Sequence, residues 1–115
     1  MKNERRFPRV RTNAAFCLLG REGATKGKTK NISPVGVFVR TNRTFPVGER
    51  VYINVHLPRD HGLLVSQAEV VWICPKDEPC GDTGLGLKFI DLGRLDLFRL
   101  ENYVRQWQES QRGEI

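Results

Sequence analysis

The sequence is short of the residues that build metal centres, disulfide frameworks and catalytic sites. It holds three cysteines, Cys17, Cys74 and Cys80, in 115 residues. Their spacing matches neither a zinc site nor a disulfide framework, so three free thiols in a reducing compartment are expected. There are only two histidines, His56 and His61. Neither has a carboxylate or cysteine cluster to complete a metal site, and no Ser/His/Asp or paired-carboxylate arrangement stands out. The chain therefore reads as a non-enzyme without a metal or cofactor. Long apolar runs are also missing: none approaches the ~20 residues that span a bilayer. Met1 is followed by a charged, proline-containing stretch rather than an apolar leader. The expectation is a cytoplasmic, one-domain protein with no membrane insertion.

What the sequence does have is positive charge. Nineteen Lys and Arg stand against thirteen Asp and Glu, a net charge of +6. Such an excess favours anionic partners. Within residues 1–12, Lys2, Arg5, Arg6, Arg9 and Arg11 face only Glu4. Pro8 lacks an N–H and pushes Phe7 out of the helical region. Residues 1–12 thus read as a basic, non-helical arm, with residues 13–115 as the folded body.

Short strands between turn signals make up most of that body. Ala14–Gly20 is the first strand, Gly23–Gly27 reads as a hairpin tip, and a second strand lies near Lys28–Ile32. Val37–Thr41 is β-branched and aromatic, as strands favour. Arg50–Leu57 alternates, with Val51, Ile53, Val55 and Leu57 on one face. Leu64–Ile73 and Gly84–Ile90 complete the set. Then the period changes. Leu92, Leu95, Phe98, Leu100, Tyr103, Val104 and Trp107 recur at three- and four-residue spacing, which predicts an amphipathic helix over about 94–111. Evenly spaced strands followed by one helix point to a small antiparallel barrel. Trp72 and Phe89 read as barrel core, and Trp107 as part of the helix's packing face.

Two constellations carry candidate chemistry. Arg5 and Arg9 lie roughly 13 Å apart in an extended chain, far enough to grip opposite sides of a compact nucleotide. An arginine fork pairs bidentately with phosphate, matches the O6/N7 edge of guanine, and stacks on bases. The second constellation is Asn31-Ile32-Ser33-Pro34-Val35-Gly36. Asn31 and Ser33 offer hydrogen-bonding groups, and Gly36 permits positive φ or a close backbone approach. A solvated tail and an ordinary turn would account for each constellation taken singly.

Together, Arg5-Arg6-Phe7-Pro8-Arg9 and Asn31–Gly36 resemble the paired signatures of the PilZ domain family, RxxxR followed by (D/N)xSxxG. The resemblance continues through Pro46-Val47-Gly48, Gln67–Trp72, Gly84–Leu92 and the helix. It implies a six-stranded antiparallel β-barrel with one C-terminal helix that binds cyclic di-GMP. By position, Arg5 and Arg9 would be the principal ligand residues and Arg6 an extra contact. Asn31 and Ser33 would hydrogen-bond guanine, with Gly36 giving room. Asn31 stands where many members have Asp, and Glu4 places a carboxylate beside the first arginine. The resemblance further implies an arm that orders on the nucleotide and a downstream protein partner, in a monomer or weak homodimer with no stable nucleic-acid complex. The alternatives are a PilZ-type interaction module independent of the nucleotide and a general nucleic-acid binder.

Overall fold

The computed structural model describes residues 9–78 and 80–113. Among the described residues, seven strands precede one helix: β1 (Val10–Arg11), β2 (Ala15–Gly20), β3 (Gly23–Ser33), β4 (Gly36–Arg40), β5 (Arg50–Leu57), β6 (Gly62–Cys74), β7 (Gly84–Ile90) and α1 (Arg94–Gly113). All pairings are antiparallel. The order β3-β2-β5-β6-β7-β4 closes because β4 also pairs with β3. This is the expected six-stranded barrel. The two-residue β1 adds to β3, at the root of what the sequence places in the arm.

Closure depends on the length of β3. Its first half, from Gly23 to Lys28, pairs with β2, and its second half, from Thr29 to Ser33, pairs with β4. The expected hairpin tip at Gly23–Gly27 is therefore strand. The turn is tighter, at Arg21-Glu22, with Gly20 opposite Gly23. Gly23 takes a φ of +130°, which costs a glycine little and a side chain much.

The barrel interior follows from the period-2 pattern. Val51, Ile53, Val55 and Leu57 of β5 point inward beside Phe16, Leu18, Leu64, Val70 and Leu87. Phe89 lies among them as expected, but Trp72 does not. A register shift between Val70 and Trp72 of β6 turns Trp72 to the outside, where it is 44% exposed. There it packs on Phe38, with ring centroids 5.1 Å apart. It also lies over Gly86, where a Cβ would overlap the indole.

Helix α1 buries Leu100, Tyr103 and Val104 against the barrel, with Trp107 packed at the margin. Leu95 and Phe98 were expected on the same face, yet each is 60% exposed. At 3.6 residues per turn they fall on the side of the helix away from the Leu100, Tyr103 and Val104 stripe that meets the barrel. The three thiols expected to be free are not all so: Cys74 and Cys80 form a disulfide, with Cα atoms 6.0 Å apart, and only Cys17 is free. Spacing in sequence concealed this pairing, because the loop after β6 folds back onto the strand's last residue.

Candidate functional site

The short β1–β3 pairing sets up the site. Val10 pairs with Ile32 and Arg11 with Asn31. Val10 is buried, so strand alternation sends Arg9 and Arg11 outward. The Arg9 guanidinium donates to Asn31 Oδ1 at 2.7 Å. Thus one member of RxxxR and one of (D/N)xSxxG meet directly. Thr12 N donates to Lys30 O at 3.0 Å, and Thr29 Oγ1 accepts from Ala14 N at 3.0 Å. These bonds carry the ladder from β1 into β2.

A bulge in β3 does the next part. The register against β4 shifts between Thr29 and Asn31. Bulges re-aim side chains, often beside functional sites. Here Lys30 and Asn31, consecutive in sequence, both line one open cleft of about 580 Å³, with Arg11, Thr12, Asn13, Arg40 and Asp82. That size falls in the ~300–1,000 Å³ range of small-molecule sites. Its wall carries three cations and one carboxylate.

Asp82 bridges two of those cations, at 3.4 Å from both Lys30 Nζ and Arg40 Nε. Desolvation pushes its carboxyl up, but hydrogen bonds and charge from Lys30 and Arg40 outweigh this and hold it below its ordinary value. Arg40 is braced by the Thr29 carbonyl at 3.0 Å. Lys30 also sits over the Phe38 ring, 5.6 Å from its centroid.

Of the residues singled out from the sequence, Arg9 and Asn31 come together here. Arg5 and Arg6, with Glu4, lie outside the described residues. Ser33 is fully buried, and its hydroxyl accepts from Val35 N at 3.2 Å, closing the turn after Asn31. Gly36 makes room for protein, because a Cβ there would collide with the Leu87 carbonyl of β7. Sequence reasoning missed Arg11, Lys30, Arg40 and Asp82. Strict alternation would put Lys30 and Asn31 on opposite faces, and the bulge that unites them has no signature in the sequence. Asp82 reaches the cleft from a loop about fifty residues away from Lys30 in the chain. Among the described residues, no group of three or more His, Cys, Asp or Glu could hold a metal ion.

The closed barrel, packed against one helix, joins an arginine and an asparagine beside a cationic cleft. The PilZ domain family profile matches residues 3–106, and the chain belongs to that family. No sequence relative among curated proteins matches. Solved structures share the fold. The Bacillus subtilis inhibitor of motility MotI is similar at 21% identity and a TM-score of 0.80, over 96% of this chain and 54% of that one. The PilZ domain of YcgR from Escherichia coli, solved with c-di-GMP, is similar at 16% identity and a TM-score of 0.72, over 97% of each chain. The K. pneumonia MrkH–c-di-GMP complex is similar at 15% identity and a TM-score of 0.73, over 99% of this chain and 57% of that one. The chain thus spans little more than half the length of MotI and MrkH. No described helix is long and apolar enough to cross a membrane.

Proposed function

We propose that this domain binds cyclic di-GMP in the cleft beside Asn31 and passes the bound state to a partner protein. The observation that carries the reading is the 2.7 Å bond between Arg9 and Asn31, which joins the two family signatures at the wall of a cation-lined cleft. The similar YcgR domain and MrkH were both solved with c-di-GMP, which supports the choice of ligand.

The chemistry follows from the donors and acceptors present. Asn31 Oδ1 can accept from the N–H groups of a guanine edge once Arg9 turns to the ligand. The Arg9 fork then pairs with a phosphate or with guanine O6/N7. Arg11, Lys30 and Arg40 add positive charge for the two phosphates. Ser33 fixes the turn that aims Asn31, and Gly36 lets β4 lie close on β7. Arg5 and Arg6 add further guanidinium groups as the arm orders on the nucleotide. Ordering of the arm ahead of β1 alters the surface around that strand, and that change is what a partner reads.

Nuclear magnetic resonance titration with cyclic di-GMP tests the placement. Backbone shifts should cluster at residues 9–13, 30–33, 40 and 82. Saturable shifts confined to another face would refute the assigned site, and unchanged spectra would refute the ligand.

A further inference from the structure

We propose that the Cys74–Cys80 disulfide is a redox-sensitive tether that holds the Asp82 carboxylate in the anion cleft, so that reduction opens the cleft to its ligand. The consequence for the ligand rests on the cyclic di-GMP reading above; the tether itself does not.

The loop over residues 75–83 joins β6 to β7. Cys74 ends β6 and pairs with Gly84, the first residue of β7, so both ends of the loop are seated on the sheet. Cys74 is 1% exposed, whereas Cys80 is exposed. The bridge therefore pins the outer part of the loop to a buried strand end. Two residues further on, Asp82 reaches Lys30 and Arg40. Between them, Gly81 has a φ of +104°, and a Cβ there would stand 3.1 Å from Lys30 Nζ. The loop thus lies directly over the lysine, in a conformation that suits glycine.

Asp82 and a ligand phosphate need the same two cations. The Asp82 side chain is 46% exposed, and ion pairs at that exposure are weak. Such a pair persists when the chain delivers the carboxylate at high local concentration. The disulfide does this by closing the loop, and a reduced loop gains conformations in which Asp82 points to water. Glu78 N to Pro75 O at 3.3 Å and Thr41 N to Thr83 O at 3.2 Å fix the ends of the loop and would survive reduction.

Accessibility gives the chemistry a direction. The thiolate of a protein or small-molecule dithiol attacks the exposed Cys80 sulfur. The S–S bond breaks, and Cys74 leaves as a thiolate that takes up a proton. The second thiol of the reductant then attacks the mixed disulfide, releasing Cys80, which is protonated in turn. Two electrons and two protons pass to the protein, and the dithiol becomes a disulfide.

The test compares oxidised and dithiothreitol-reduced protein, with redox state checked by intact mass, in two measurements. The first is the NMR titration of the Asp82 carboxyl without ligand. The second is cyclic di-GMP calorimetry. Reduction should move the Asp82 titration up towards its ordinary value and tighten the ligand by about 5-fold or more. The Cys74→Ser/Cys80→Ser double variant should match the reduced protein, and Asp82→Asn should bind equally in both redox states. An Asp82 titration identical in both states overturns the tether, whatever the ligand does. A shifted titration with no ligand heat in either state supports the tether and refutes the ligand. A shifted titration with equal affinities overturns the proposed opening of the cleft. Should the double variant fail to fold, the reduced wild-type chain gives the same readings.

Discussion

Asn31 is occupied before any ligand arrives, because its amide oxygen accepts from Arg9. In the proposed complex a guanine edge takes that acceptor over, and Arg9 turns to an anion. The proposed swap replaces a protein–protein bond with two protein–ligand bonds. Replacing Asn31 by alanine removes one side of it. Asn31→Ala should weaken cyclic di-GMP binding about 10-fold, in line with losing one hydrogen bond to a charged or strongly polar group. Its folding stability should stay within about 0.5 kcal/mol of the parent, since the Arg9 contact is exposed. Calorimetry and urea denaturation read the two effects separately. Asp82 makes a second residue-scale case. Its carboxyl is held below the ordinary 3.8 by Lys30 and Arg40. A depressed carboxyl stabilises the folded state above its unfolded value and loses that contribution as pH falls through the folded one. The stability difference between the wild type and Asp82→Asn should therefore be constant near neutrality and shrink below pH 3.8, which acid-range denaturation curves would show. At this scale Asn31 and Arg9 were legible because their motifs are local. Lys30, Arg40 and Asp82 were not, because a bulge and a distant loop bring them to the cleft.

Strands and helix meet at two tight contacts that couple the site to the body. Gly36 starts β4 where any side chain would strike the Leu87 carbonyl. Gly36→Ala should cost about 1–3 kcal/mol, because backbone on both strands must move. It should also weaken ligand binding by tilting the turn that carries Asn31. A stability loss with unchanged affinity would show that the turn and the strand are independent. At the other contact, Tyr103 of α1 donates to Thr12 Oγ1 at 3.0 Å in a buried pair. This bond ties the helix to the segment that leaves β1. Tyr103→Phe should cost about 1 kcal/mol in denaturant unfolding. It should also raise hydrogen exchange at Val10–Thr12 relative to β5. The regular elements were legible where alternation was clean. β5 and β7 begin and end where the pattern put them, and α1 starts at Arg94 as expected. The errors fell where a turn was tighter or a register shifted. Thr25 and Lys26 looked like a tip, but the turn needs only Arg21 and Glu22. Trp72 looked like core until the bulge beside Val70 turned it out.

At the scale of the whole molecule, the described barrel presents a cation-rich cleft beside β1. A net charge of +6 favours the approach of anions in general, with the steering screened by salt. The MotI, YcgR and MrkH structures share this barrel at identities of 21% or less. In this chain the barrel rests on alternation, closure through β3 and close glycine contacts. The proposed function rests on the few groups at the cleft. The most direct test is calorimetric titration of cyclic di-GMP into the protein, alongside Arg9→Ala. Saturable heat from the wild type, with affinity at least about 10-fold weaker in Arg9→Ala, is the predicted result. A folded wild-type protein that gives no heat, or an Arg9→Ala variant that binds as tightly as its parent, would contradict it.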